Sequence, residues 1–282
     1  MFAKLNSEIR LEDLIRGVII QSGNDACIVI AEGMAGSEAA FAGLMNEQAK
    51  KLGLTQSHFM NSTGLPDPKQ YVSLRDLGIL ARHLIDTYPD LYAYYSEPDF
   101  TWNKIRQRNR NPLLKMGIGA DGMKTGYTEA SGYAIVGSAV RDGQRLIAVL
   151  SGMTSKRQRA EEVRKIMDWG FRAFEKVELY ASGEIIGEAD VYGGERDVPV
   201  VGKGPVSIYM PIGNRDKLRA RISYIGPLIP PIEQGTQIAV LKVWIGDTLS
   251  QETPLYAAES VERGTLTQRA KDAVKELLLQ QF

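Results

Sequence analysis

Apolar residues recur at helical spacing through the first third of the chain. Leu11, Leu14, Ile15, Val18 and Ile19 share one face and predict an amphipathic helix ending near Ser22. Ser22-Gly23-Asn24-Asp25 breaks the pattern with residues that favour turns and caps, and the pattern resumes over 26–35. The triplet Ser22-Gly23-Asn24 is therefore expected in a tight loop between two helices. A third helix should open at Ser37, bury Phe41, Leu44, Met45 and Leu52, and stop at Gly53. Turn chemistry fills 61–68, after which Ser73 and Asp76 resemble a capping box, with Leu77, Leu80, Ala81 and Leu84 on the buried face of the next helix.

The period then shortens. Residues 100–103 read as a strand, and the basic run 106–110, closed by Asn111-Pro112, reads as a solvated loop. Apolar runs over 133–140 and 145–150, joined by Asp142-Gly143, predict a β-hairpin. A long helix from Ser155 to about Glu175 should bury Val163, Ile166, Met167, Phe171 and Phe174. Beyond Lys176, short strand-like runs (198–201, 206–210, 218–224, 237–244) alternate with Gly and Pro turns. The fold class expected is α+β over 1–175, followed by a small all-β sandwich over 176–265 and an amphipathic helix over 266–282. Leu266, Ala270, Ala273, Val274, Leu277, Leu278 and Phe282 stripe that last helix, which suits either a membrane interface or its own β domain.

Composition removes several function classes. The 282 residues balance 34 basic against 34 acidic side chains, so nothing favours a nucleic-acid partner. One cysteine, Cys27, excludes an internal disulfide, and two histidines without spaced partners give no zinc-like pattern. No metal and no cofactor are expected.

Candidate chemistry lies in two triplets 102 residues apart. Gly122-Met123-Lys124-Thr125-Gly126-Tyr127-Thr128 is a glycine-bounded strand whose alternation is expected to bring the Lys124 ammonium and the Thr125 and Thr128 hydroxyls to one face suited to a carboxylate. Taken alone, Lys124-Thr125-Gly126 reads better as a polar turn before a strand than as a site. Ser22 and Asn24 on a facing wall could relay a proton and hold an amide. Arg110 stands between two readings, a second cation at this site or a surface residue.

The stretch Leu14-Ile15-Arg16-Gly17-Val18-Ile19-Ile20-Gln21-Ser22-Gly23-Asn24-Asp25-Ala26, the segments Leu44-Met45-Asn46 and Ala49-Lys50-Lys51-Leu52-Gly53-Leu54, and Asp121-Gly122-Met123-Lys124-Thr125-Gly126 resemble the D-alanyl-D-alanine carboxypeptidases, the low-molecular-mass penicillin-binding proteins. The similarity extends over nearly the whole chain. It implies a penicillin-binding-protein/β-lactamase-like transpeptidase domain. The implied activity is serine-type hydrolysis of the terminal D-Ala from peptidoglycan stem peptides through an acyl-enzyme. By that resemblance Ser22, Asn24 and Lys124 are catalytic. Thr125, Gly126, Arg110 and the backbone N–H of Tyr127 bind substrate. The implied partners are stem peptides ending in D-Ala-D-Ala and, given a nucleophile, β-lactam antibiotics. The implied location is the periplasmic face of the inner membrane.

One family motif does not appear. The acylated serine belongs to a Ser-x-x-Lys set, yet no serine here has lysine three residues on: Ser7 precedes Arg10, and Ser22 precedes Asp25. The expectation is of a chain that opens inside the family domain, lacks its export signal, and does not turn over substrate alone. The alternative is a non-catalytic binding or scaffolding homologue at the membrane surface. A β-lactamase is disfavoured, since no glutamate sits in a recognisable deacylating context.

Overall fold

A computed structural model of the chain describes residues 1–4 and 6–270, and divides into two compact units, Met1–Arg172 and Ala173–Phe282. The first begins with three helices, α1 (Leu11–Ile19), α2 (Asn24–Ala35) and α3 (Glu38–Lys51). Their ends follow the capping signals. Gly36 terminates α2 at φ 77°, and the Ser37 hydroxyl accepts from the Ala40 N–H at the start of α3. The buried face of α3 differs from expectation: Ala42 and Ala49 are buried, while Leu44 is 46% exposed. Small residues let the helix approach closely, and Asn46 between them exchanges hydrogen bonds with both Phe59 backbone groups at 2.7 and 2.9 Å.

Helix α4 (Leu74–Thr87) starts at a Ser73 cap, and its buried Asp76 accepts from Gln56 N–H and the Ser57 hydroxyl, so the carboxylate is compensated where the helix dipole favours it. A short helix α5 (Pro89–Tyr92) leads to a hairpin, β1 (Asp99–Trp102) with β2 (Ile105–Arg108). Part of the basic run expected as loop is thus strand. The turn explains the miss: Asn103 and Lys104 both take positive φ, 48° and 65°, a hairpin turn without glycine to announce it.

The centre of the unit is the antiparallel sheet β3 (Ala120–Thr128), β4 (Gly132–Arg141), β5 (Gln144–Met153), in that order. Asp142 and Gly143 join β4 to β5 with φ of 48° and 75°, the turn the sequence predicts. Helix α6 (Lys156–Ala173) covers the sheet with Val163 and Met167, which share a core with Leu113, Ile118, Ile135, Ala139 and Met153. Two expected core residues fall elsewhere: Ile166 is 42% exposed, and Phe174 begins the next strand.

The second unit contains a five-stranded sheet ordered β10-β11-β12-β8-β7 and a two-stranded sheet β6-β9. Its strands are β6 (Phe174–Tyr180), β7 (Ile185–Ala189), β8 (Val198–Gly202), β9 (Val206–Pro211), β10 (Leu218–Ser223), β11 (Gln237–Ile245) and β12 (Thr248–Ala257). Val198, Val200, Ile208, Leu241, Val243 and Leu255 build one core between them. The amphipathic stretch 266–282 is described only to residue 270, so its lipid or protein choice lies outside the described residues.

Close packing on the sheet depends on Gly137 of β4, where an added Cβ would stand 2.6 Å from Leu113 and 3.3 Å from Met167. Gly137→Ala is expected to destabilise the chain by about 1–3 kcal/mol through overpacking. Gly33 in α2 has open space, and Gly33→Ala is expected to stabilise by about 0.5–1 kcal/mol. Urea midpoints measured side by side test both signs; equal midpoints would refute the packing account.

Candidate active site

The two triplets meet. Lys124 projects from β3 and its Nζ donates to Ser22 Oγ at 2.8 Å and to the Thr125 carbonyl at 3.0 Å. Ser22 occupies the two-residue link between the α1 turn and α2 with φ 57°, a left-handed backbone rarely adopted by a residue with a Cβ. That conformation aims its hydroxyl at the sheet. Gly23 caps α2, and Asn24 is the helix's first residue rather than a loop position, exposed at its N-terminal end.

Thr125 does not share the Lys124 face as the sequence reading expects. Alternation along β3 puts Thr125 on the opposite side, 8% exposed, so its carbonyl rather than its hydroxyl meets the ammonium. Thr128 has the parity of Lys124, but its hydroxyl is bound to Ser131 Oγ at 2.7 Å and accepts the Ser131 N–H. It pins the β3–β4 turn. Gly126 is exposed on the strand, and Tyr127, 57% exposed, packs its ring 4.5 Å from that of Tyr133.

Electrostatics single out the lysine. Burial pushes the Lys124 amine down from 10.5 to about 8, and the positive charge of Arg110 acts in the same direction, followed by that of Arg159. Arg110 is exposed, immediately before the buried Asn111, and its charge reaches both Lys124 and Arg159. Arg159 is the residue sequence reading missed. It is 7% exposed, its Nε lacks a hydrogen-bond partner, and its guanidinium lies 5.7 Å from the Tyr133 ring centroid. Burial lowers its pKa too. The signal was available: Arg159 lies four residues before Val163 and eight before Met167, on the buried stripe of α6, where an arginine is out of place in a plain core. Among the described residues no carboxylate pairs with Lys124, Arg110 or Arg159. Three cations without an anion make a site for one.

Behind the strand a polar network fixes where β3 begins. Arg145 forms an ion pair with Asp121 at 2.8 Å and donates to Ser138 Oγ at 2.6 Å, while the Tyr92 hydroxyl donates to Asp121 at 3.0 Å. Burial pushes the Tyr92 phenol up, keeping it a donor. Tyr92 approaches so closely that a Cβ on Gly122 would stand 2.2 Å from its oxygen, which makes glycine obligatory two residues before Lys124. On the open side, a cleft of about 590 Å³ runs along Lys124, Thr125 and Gly126, roofed by Leu74 and Leu77 of α4 and by Gln70 and Tyr71. Its size and mostly apolar lining, with Lys124 as its one cation, suit a peptide-like ligand lying along the strand.

Comparison with known proteins agrees with this geometry. Residues 1–155 match the family model for D-alanyl-D-alanine carboxypeptidase, and residues 174–263 match the model for the C-terminal domain of penicillin-binding protein 5. The D-alanyl-D-alanine carboxypeptidase DacC of Escherichia coli is 39% identical over 277 residues, 97% of this chain and 69% of that protein. DacF of Bacillus subtilis is 30% identical over 270 residues, 93% of this chain and 69% of that protein. The crystal structure of penicillin-binding protein 5 from Haemophilus influenzae superposes with a TM-score of 0.83 at 36% identity, covering 93% of this chain and 78% of that one. With both family models matched in sequence order over 1–155 and 174–263 and relatives similar over nearly its whole length, the chain belongs to the D-alanyl-D-alanine carboxypeptidases, the low-molecular-mass penicillin-binding proteins.

Proposed function

We propose that this chain serves peptidoglycan maturation in the cell envelope as a serine-type D-alanyl-D-alanine carboxypeptidase, acting on stem peptides that end in D-Ala-D-Ala. The observation that carries the reading is the 2.8 Å contact between Lys124 Nζ and Ser22 Oγ beside an unneutralised pair of arginines. An amine titrating near 8 exchanges protons readily at neutral pH, and a hydroxyl held against it can pass that proton to or from a leaving group. Arg110, Arg159 and Lys124 take the terminal carboxylate, Gly126 leaves room for the peptide along the strand, and Asn24 faces the acyl-side amide. The Tyr127 backbone N–H is assigned to the developing oxyanion. β-Lactams, which carry a carboxylate beside a strained amide, are ligands of the same cleft.

One sequence fact favours a second reading. No serine in the chain precedes a lysine by three positions, so the acylated nucleophile of the family has no counterpart among these residues. In this reading the chain retains the carboxylate pocket and binds stem peptides without hydrolysing them. Intact-mass analysis after incubation with a penicillin separates the two. A single covalent adduct per chain establishes a competent nucleophile, and calorimetric binding of a D-Ala-D-Ala peptide with unchanged chain mass establishes the binding role. Under either reading Lys124→Ala is expected to weaken peptide binding about tenfold or more, because it removes a charge-assisted contact. Equal affinity in the variant would refute the carboxylate assignment.

The depressed lysine also has a pH signature. Because the folded amine titrates near 8 and the unfolded one near 10.5, the folded chain holds fewer protons between those values. The cost of burying the ammonium is fully present below pH 8 and is relieved as pH rises toward 10.5. Titration by NMR of reductively methylated Lys124 is expected to place its midpoint near 8, higher in Arg110→Gln and higher again with bound peptide. A midpoint that ignores Arg110 would show that the two cations do not share a site.

A further inference from the structure

Arg159 is buried without an anion, and something must hold it there. It opens the buried stripe of α6, ahead of Val163, Met167 and Gly170. An arginine in such a stripe ordinarily leads its head out to water along its own stem or meets a carboxylate. Arg159 does neither: it is 7% exposed, its Nε has no hydrogen-bond partner, and among the described residues no carboxylate pairs with it. The start of a helix adds to the cost, because the dipole is positive there, and the first turn of α6 holds Lys156 and Arg157 but no acidic residue. Burial and the charge of Arg110 both work against the charged form.

What faces the guanidinium is an aromatic ring. The Arg159 Cζ lies over Tyr133, 5.7 Å from the ring centroid, within reach of a cation–π interaction that strengthens where water is excluded. Tyr133 is itself firmly held. In β4 it pairs with Tyr127 of β3 and with Met153 of β5, and it packs against the core that contains Val163 and Met167. The Tyr127 ring lies 4.5 Å from it, tilted by 38°, as an aromatic pair across the two strands. One ring thus links the strand that carries Lys124 to the helix that carries Arg159.

We propose that Tyr133 is the positioning residue of the carboxylate site: its ring face holds the Arg159 guanidinium in place, dry and without a neutralising carboxylate, for the anionic end of a peptide. A carboxylate in the place of the ring would hold the arginine as well, but it would occupy the N–H donors that an incoming anion needs. An aromatic face attracts the cation and leaves those donors to the ligand. The ring, and not the hydroxyl, is the part that acts, so phenylalanine can serve in its place. The proposal rests on the carboxypeptidase reading above and deepens it by naming what holds a substrate-binding arginine.

Two measurements test it. In the unliganded chain, the Nε–Hε resonance of Arg159 is expected to lie upfield of its position in Tyr133→Leu, through the ring current, and to exchange with water more slowly than in that variant. Tyr133→Phe is expected to keep both signatures. Calorimetry then compares a peptide ending in D-Ala-D-Ala with the same peptide as its C-terminal amide. Tyr133→Leu is expected to reduce the preference for the free acid about tenfold, and Tyr133→Phe to keep it within about twofold. Because the ring acts through the arginine, adding Tyr133→Leu to Arg159→Gln is expected to cost no further preference. Met167→Ala, which opens a cavity in the same core about two turns along α6, is expected to leave the preference unchanged, and so separates positioning from a loosened core. An Arg159 resonance at the same place with and without the ring would overturn the proposal, as would additive losses in the double variant or a loss of preference in Tyr133→Phe. A ring-shifted Arg159 in an unmodified chain that binds acid and amide alike would remove the carboxylate role together with the carboxypeptidase reading. A preference in the unmodified chain that survives Tyr133→Leu would overturn the positioning alone.

Discussion

The unit from Met1 to Arg172 depends on one constraint: a lysine amine must be held largely out of water, against a serine hydroxyl, with no carboxylate among the described residues to neutralise it. Such an arrangement costs stability, since burial and two neighbouring guanidinium groups all oppose the charged form. A fold keeps it only where surrounding structure leaves the lysine no alternative. Here β3 is clamped from behind by Arg145, Asp121 and Tyr92, and Gly122 admits the tyrosine where any side chain would collide. From the front, Ser22 is locked into a left-handed backbone between α1 and α2.

Both halves are needed because they come from segments 102 residues apart that touch through few atoms. The helical part supplies a hydroxyl on a strained link. The sheet supplies an amine whose strand is paired in one register with β4 from Gly122 to Thr128 and pinned at its turn by the Thr128–Ser131 hydrogen bonds, while Gly137 lets Leu113, Val163 and Met167 close over the other face. A one-residue slip of β3 would exchange Lys124 for Met123 or Thr125 at the cleft. The packing core and the chemistry thus share strands but use opposite faces.

Much of this was legible in the residues. Caps at Ser37 and Ser73, the glycine stop after α3, the Asp-Gly hairpin and the strands β8 to β11 follow from local rules, because local geometry dominates them. The pairing of Ser22 with Lys124 was readable only because both triplets belong to a known set; no periodicity relates positions that far apart. What escaped depended on tertiary context. The β1–β2 turn uses Asn103 and Lys104 in a conformation usually marked by glycine, and β6 follows α6 with no break, while β7 and β12 went unread although Ser182-Gly183 and Gly246-Asp247 mark the turns before them. The parity of Thr125 was misjudged although strand alternation alone determines it. Arg159 hid inside an apolar helix stripe, where its charge became meaningful only once Arg110 and Lys124 were placed beside it.

Under the proposed function, the cation cluster would favour a peptide with an anionic end. The charges of Arg110 and Arg159 lower the readiness of Lys124 to hold its proton, and that of Arg110 acts in the same direction on Arg159. A carboxylate entering among them relieves that repulsion as well as forming its own contacts, so affinity draws on energy already stored in the empty cleft. The same event raises the lysine's hold on its proton, so that ligand binding changes the charge state of the group touching Ser22. A neutral amide end would leave both the repulsion and the proton where they were. In the proposed reading, selectivity for a free carboxyl terminus and control of the proton at Ser22 are one electrostatic property of three side chains.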